Sequence, residues 1–311
     1  MTALFEPVTS CWICGGTSMD VVHEAVFDLS EYATQDPELA EYSGQRAQLQ
    51  RCMDCGFAQP AALPALPNYF DRMYDQRWSD DWVEAEHIAS YKDRIFADIL
   101  SSLRSRLPAG LTLLDIGAHA GRFLRLACRR GWNAEGLELN PKTAAYASHA
   151  SGAVVHQGNI HTFTPTRCYD AVTLTDVLEH IPQPLTVLTR VRSLVCPGGW
   201  IAIKVPNGEA QRLKEHLRAR LRPSYRATLA DNLVHVNHFS PAALRHALER
   251  AGFDEISVQI APPECPPSAP ASTLLRRCLY NASRLIPGAV HTPLALHLQA
   301  FARAAPASHE S

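Results

Sequence analysis

From Leu111 onward the chain alternates short apolar runs with segments of helical character. That alternation narrows the fold more than any other feature. Leu111 to Ile116 is an apolar run of strand length, Gly117 to Gly121 a turn, and Arg122 to Arg130 a helix. Asn133 to Leu139 reads as a second strand, Pro141 to Ala150 as a helix, Ala153 to His156 as a third strand and Asp170 to Leu174 as a fourth. Leu185 to Val195 is a helix, and Trp200 to Val205 a fifth strand after the turn Pro197-Gly198-Gly199. Parallel strands cannot be joined by a tight turn, so each return passes through a crossover helix. The expected class is α/β, a doubly wound and mostly parallel sheet. Ligands of such sheets bind beyond the strand C-termini.

The first turn is chemically specific. Asp115-Ile116-Gly117-Ala118-His119-Ala120-Gly121 reads D-x-G-x-x-x-G. A dinucleotide fingerprint places further glycines where this chain has His119 and Arg122, so its pyrophosphate cradle is missing. Glu138 closes the second strand 21 residues after Gly117, where a carboxylate can accept from both hydroxyls of a ribose.

Two C-x-x-C knuckles constrain the N-terminal part. Cys11-Trp12-Ile13-Cys14 and Cys52-Met53-Asp54-Cys55 are each followed by Gly, which permits the left-handed turn such knuckles use. Four thiolates suit a tetrahedral structural ion, zinc favoured over iron. The 37-residue gap exceeds the common spacing of about 15–20, so an insertion loops out. The polar stretch Glu31 to Gln48 fits that loop. Cys128, Cys168, Cys196, Cys265 and Cys278 are expected to be buried small hydrophobes.

Charge divides the chain at the same place. Residues 1–100 carry 6 Lys/Arg and 17 Asp/Glu, a balance of −11; residues 101–311 carry 23 and 14, a balance of +9. The net charge of −2 excludes a globally basic nucleic-acid binder. No apolar run approaches the roughly 18–20 residues of a membrane span. The segment MTALFEPVTSCW has no basic or apolar signal region, which points to a reducing, cytoplasmic setting. The expected organisation is a module at 1–67, a helical linker or lid at 68–108 and a cofactor domain at 109–311. Opposite charge signs favour docking of the parts with an acceptor pocket between them.

Between the parts, residues 61–68 (AALPALPN) read as a linker. Apolar residues at Ile88, Tyr91, Ile95, Ile99 and Leu103 predict one helix over 82–107, started by Ser79-Asp80-Asp81. Tyr69, Tyr74, Trp78 and Tyr91 are candidates for a pocket wall, against the plainer reading as core.

The ordered motifs together resemble the class I S-adenosylmethionine-dependent methyltransferases. These are LLDIGAHAGRF (113–123), GLELNP (136–141), QGNI (157–160), YDAVTLTDVLEHI (169–181), LVCPGGWIAIKVPN (194–207), HVNHFSPAAL (235–244) and ERAGF (249–253). With the knuckles, the chain resembles zinc-ribbon-bearing members that modify sugars, polysaccharides or natural products. The resemblance implies a Rossmann-like seven-stranded sheet of order 3-2-1-4-5-7-6, with Ala295 to Ala304 as the final strand. It implies that Asp115, Gly117, His119 and Gly121 shape the loop under the methionyl part. Glu138 and Leu139 would hold the ribose, Asn159 and Ile160 the adenine, and Thr175 and Asp176 the methionyl side. His119 stands where the family usually has Gly, and Asn159 where it has Asp.

Methyl transfer needs an aligned and, for a hydroxyl, deprotonated acceptor. His180 is the candidate base and Glu179 its orienting or charge-balancing neighbour. His235, His238 and Tyr91 are candidate acceptor contacts. A metal on the histidine pair is disfavoured, because no carboxylate accompanies them at ligand spacing. Lys204 to Arg226 holds seven basic and two acidic residues. It reads as a solvated face, an anionic-acceptor site or a peripheral contact with an anionic membrane. The leading reaction is O-methylation of a sugar or polysaccharide precursor or small metabolite, by a monomer or homodimer. C-methylation of a nucleotide-linked keto-sugar and a non-catalytic binding protein are the alternatives.

Overall fold

The computed structural model describes residues 4–75, 80–108, 111–222, 231–265, 270–283, 285–292 and 295–305. Arg226, Trp78 and the tail from Pro306 lie outside the described residues, as does the side chain of Tyr74.

The N-terminal part forms two small antiparallel sheets. Strands β1 (Phe5–Pro7), β2 (Met19–Val26), β3 (Arg46–Cys52), β4 (Ala58–Pro60) and β5 (Ala62–Pro64) pair as β1-β5 and β2-β3-β4. The expected linker is therefore partly strand, Ala62 facing Pro7 and Pro64 facing Phe5. The expected polar insertion is also ordered. Its Tyr32, Leu39 and Tyr42 are buried with Phe27, Leu29 and Tyr69. Asp36 caps the short helix α1 (Pro37–Ala40) and takes two bonds from Arg72.

Helices α2 (Tyr69–Asp75), α3 (Asp80–Ile88) and α4 (Asp93–Arg104) follow. The single helix expected over 82–107 is broken at 89–92. Arg122 supplies the physical reason. Its guanidinium donates to the carbonyls of His87 and Ile88, satisfying the open end of α3, and forks onto both oxygens of Asp93 at 2.6 Å. The break turns Tyr91 and Lys92 toward the sheet.

The larger sheet has seven strands. Its elements are β6 (Thr112–Ile116), α5 (Arg122–Arg129), β7 (Asn133–Glu138), α6 (Pro141–Ser151), β8 (Val154–Gln157), β9 (Tyr169–Thr175), α7 (Pro184–Leu194), β10 (Val195–Pro206), α8 (Gly208–Leu221), α9 (Pro241–Arg250), β11 (Phe253–Ile260), α10 (Pro270–Ser283) and β12 (His297–Ala304). The order is β8-β7-β6-β9-β10-β12-β11. Counted within this sheet, that is 3-2-1-4-5-7-6. Only β12 is antiparallel to its neighbours. Strands β6 and β9 are buried on both faces, which is why neither shows the apolar–polar alternation of a half-exposed strand.

The module packs onto this domain rather than standing apart. Cys11, Ile13, Cys52 and Phe57 share one core with Phe239, Leu244 and Leu248, and the Phe57 and Phe239 rings lie 5.0 Å apart. The five cysteines outside the knuckles are not the buried small hydrophobes expected of them. Cys168 and Cys196 form a disulfide, because parallel β9 and β10 bring Tyr169 opposite Val195 beside them. Cys278 is exposed, and Cys128 and Cys265 are half-buried.

Candidate functional site

A cavity of about 810 Å³ opens at the C-terminal ends of β6, β7 and β9. That volume suits a cofactor together with a small acceptor. Asp115, Gly117, His119, Glu138, Leu139, Asn159, Ile160, Thr175, Asp176, His180 and Tyr91 all line it. Phe70, Glu86, Tyr91 and Lys92, from α2, α3 and the break before α4, also line it. The N-terminal module packs elsewhere, against His238 and Phe239, so the cavity does not lie between module and domain as the charge pattern suggested.

The turn after β6 is held by β7. The amides of Gly117 and Ala118 donate to Leu137 O, and that of His119 to Glu138 Oε2 at 2.8 Å. Gly117 has φ +72°, and a Cβ there would lie 2.4 Å from Val177. His119 adopts φ +49°, a conformation that costs a non-glycine residue strain but that histidine tolerates better than most. Burial pushes its imidazole down to about 4, so it is neutral. Gly121 does not line the cavity. Its Cβ would meet Ala147 at 2.8–3.1 Å, so it permits α5 to approach α6.

Asp115 is buried, accepts from Thr173 Oγ1 at 2.6 Å, and is raised to about 7 by desolvation. Glu138 is raised by burial and steadied by the amides of His119 and Asn140. Asn159 Oδ1 already accepts from His161 N at 2.9 Å. That oxygen keeps a second lone pair, and Nδ2 is a donor, so the amide can still both accept and donate. The Thr175 hydroxyl is buried with no partner among the described residues. An orphaned polar group on a cavity wall fits a ligand that supplies the bond.

Asp176 is tied to Lys92 Nζ at 2.8 Å and Lys204 Nζ at 2.5 Å, and the two ammonium groups outweigh desolvation to hold its carboxyl low. Lys204 is 1% exposed and also reaches Glu264 at 3.2 Å. It belongs to a buried ion network, not to the solvated face expected of its segment. Lys92 and Phe70 line the cavity and His87 braces it, with no sequence signal pointing to any of them. His87 Nδ1 donates to Ala120 O at 2.6 Å, fastening α3 to the turn after β6. No motif marks these residues, because tertiary contact alone selects them.

His180 stands on the cavity wall, and its Nδ1 bonds Val234 O at 2.6 Å. A carbonyl only accepts, so Nδ1 carries a proton, and in the neutral ring the lone pair is on Nε2. Glu179 is buried behind it, 4.0 Å from Nε2 and outside the lining. Burial, reinforced by Asp176, raises its carboxyl to about 8. Glu179 is therefore neutral near pH 7, and Val234 rather than Glu179 orients the imidazole.

His235 and His238 do not line the cavity. His235 sits edge-on to His180 at 4.8 Å, and burial lowers it to about 3. His238 is buried where its backbone pairs with Ala58, and its Cβ presses on Gly208. It donates from Nε2 to His235 O at 3.1 Å. The pairing with the module draws it away from the pocket mouth. The carboxylate absent at ligand spacing arrives through space: Glu179, His180 and His235 bring ligand atoms within 4.8 Å of one another.

The four knuckle sulfurs form a second cluster, also within 4.8 Å of one another. Cys11 and Cys55 Sγ, and Cys14 and Cys52 Sγ, are 3.5 Å apart. That is far beyond a disulfide and close to the ~3.8 Å edge of a tetrahedron with bonds of about 2.3 Å. The amides of Ile13 and Gly16 point at Cys11 and Cys14 Sγ, stabilising thiolates. The neighbouring Cys55 thiol holds Cys11 down to about 5.

The fold and this site define a cofactor-dependent transferase of the doubly wound class. The profile of the methyltransferase-domain family matches residues 86–258, more than half of the chain, and the chain belongs to that family of S-adenosylmethionine-dependent methyltransferases. A ubiquinone biosynthesis O-methyltransferase of Paraburkholderia phytofirmans is 30% identical over 135 residues, covering 41% of this chain and 56% of that protein. The chain thus spans a little over half the length of such relatives. Among solved structures, a chain of the Haloferax volcanii complex between the Trm112 methyltransferase activator and a methyltransferase is similar at TM-score 0.51 and 16% identity. It covers 76% of this chain and 97% of that one. The amino pentose methyltransferase CalS10 of Micromonospora echinaspora, solved with S-adenosylmethionine bound, is 26% identical at TM-score 0.35. It covers 40% of this chain and 56% of that one. Among the described residues, no helix is long and apolar enough to cross a membrane.

Proposed function

We propose that this chain transfers the methyl group of S-adenosylmethionine to the hydroxyl of a sugar, polysaccharide precursor or small metabolite, with His180 as general base. The observation that carries this reading is the His180–Val234 bond in the cavity wall, which puts the lone pair of the neutral ring on Nε2. The 30% identity to an O-methyltransferase of quinone biosynthesis supports a hydroxyl acceptor. The cofactor, when bound, brings a methyl group already activated by a sulfonium centre. Glu138 accepts from the ribose hydroxyls, Ile160 packs on the adenine, and the Asn159 carbonyl accepts from its exocyclic amine with its second lone pair. Thr175 finds on the methionyl side the partner it otherwise lacks. Asp176 stays charged and fixes Lys92 at the rim.

Zinc in the Cys11, Cys14, Cys52 and Cys55 cluster is structural, since four thiolates leave no open position. Residues 1–67, 68–108 and 109–311 then act as zinc module, lid and catalytic domain.

Calorimetry with S-adenosylmethionine, followed by a labelled-methyl screen over sugars, nucleotide sugars and phenols, tests the proposal. Micromolar binding and label in an oxygen ether support it. Absence of binding at millimolar cofactor would sink the enzyme reading. Transfer to a carbon beside a carbonyl would move the assignment to C-methylation.

A further inference from the structure

Helix α8 is turned inside out for a surface helix. Its buried positions include Gly208, Ala210 and the acidic Glu215. Its exposed face carries Leu213, Leu217 and Leu221, which are 40%, 48% and 79% exposed. These three recur every four residues and so form one stripe along the helix. A water-facing helix has the opposite arrangement. Helix α10 repeats the pattern. Tyr280 and Ser283 are buried, whereas Leu274, Leu275 and Leu279 are exposed.

Both stripes are framed by cations. Lys214, Arg218, Arg220 and Arg222 are exposed on and just after α8, and Arg276 and Arg277 are exposed on α10. Residues 270–283 contain no Asp or Glu. Apolar side chains ringed by Lys and Arg are the signature of a helix lying in the interface of an anionic membrane. A second copy docked face to face would oppose like charges across a two-fold axis. A nucleic-acid backbone has no use for the leucines.

We infer that α8 and α10 are each peripheral docking helices for an anionic lipid bilayer. The leucines enter the headgroup boundary and the Lys and Arg side chains meet lipid phosphates. On its buried side α10 meets the catalytic domain, where the Arg94 guanidinium lies 5.7 Å from the centre of the Tyr280 ring. The docking itself does not depend on which acceptor is methylated.

Sedimentation of the full chain with sucrose-loaded vesicles tests this. The protein is expected to pellet with phosphatidylglycerol-containing vesicles at low ionic strength and to be released at high ionic strength. Pure phosphatidylcholine should retain it at least about tenfold more weakly. L217E/L275E should lower partitioning at least about tenfold, and R276Q/R277Q should weaken it and flatten its salt dependence. Both variants should keep wild-type calorimetric binding of S-adenosylmethionine, which shows that they are folded. No pelleting with anionic vesicles at low salt overturns the inference. So does pelleting unchanged in L217E/L275E, or a dimer in solution that the same pair of substitutions abolishes while vesicles have no effect.

Discussion

His180 donates a hydrogen bond from Nδ1 to the carbonyl oxygen of Val234 across 2.6 Å, which puts the lone pair of the neutral ring on Nε2. If that nitrogen removes the acceptor's proton, H180A should lower kcat by about 10²–10⁴-fold, the range typical of a lost general base. Cofactor affinity should change little, because the imidazole touches the acceptor side. The measurement is turnover on the acceptor found by screening, with calorimetry on the same variant. Unchanged turnover would remove His180 from the chemistry.

Cys52 ends β3 and lies in the same core as Phe57, Phe239 and Leu244. C52S should therefore do more than lower bound zinc toward zero in elemental analysis. It should destabilise the catalytic domain as well, since the module and domain share apolar surface. The loss should be a substantial part of the ~5–15 kcal/mol that stabilises a typical domain. Denaturant unfolding followed by tryptophan emission checks it. A zinc-free variant with a full-strength domain would mean that the two parts fold independently.

The parallel sheet was readable from Leu111 onward because strands buried on both faces lack the apolar–polar alternation of half-exposed ones, and its loops carry Gly and Pro at fixed places. The four cysteines were readable because two adjacent pairs have few other uses. What escaped the reading depends on contacts distant in sequence. Arg122 breaks the expected helix by capping α3 and holding Asp93. Asp36 and Arg72 order an insertion that looks merely polar, with Tyr32, Leu39 and Tyr42 isolated among acids. Lys204 sits in a basic run, yet its partners Asp176 and Glu264 arrive from 28 positions before and 60 after. His238 looked like a pocket residue until its backbone paired with Ala58.

Lys204 is the buried member of the Asp176 network. K204M removes a cation that Asp176 and Glu264 both face, leaving Lys92 as the remaining partner of Asp176 named in this cluster. Breaking one side of a buried pair typically costs ~3–5 kcal/mol, chiefly because the survivor keeps its charge without compensation. The double variant K204M/D176N should recover part of that loss. Guanidinium unfolding of both variants and of D176N closes a thermodynamic cycle. Strict additivity would show that the pair is not coupled.

Glu179 sets a pH dependence whose sign can be worked out. Its carboxyl is raised to about 8 in the folded chain, first by burial and then by Asp176. It titrates near the ordinary value of about 4.3 once unfolded. Between those values the folded state holds a proton that the unfolded state has released. Its contribution is therefore fully present below about pH 4.3 and is lost as pH rises toward 8. Glutamine at this position is neutral throughout. The stability of wild type relative to E179Q should thus decline steadily from pH 5 to pH 8, by an amount of the order of a few kcal/mol. Unfolding free energies of the two proteins at matched pH measure it, and other titrating groups cancel in the difference. A difference that stays flat would mean that Glu179 is ionised in the folded chain, and charge-balancing of His180 by Glu179 would then be restored.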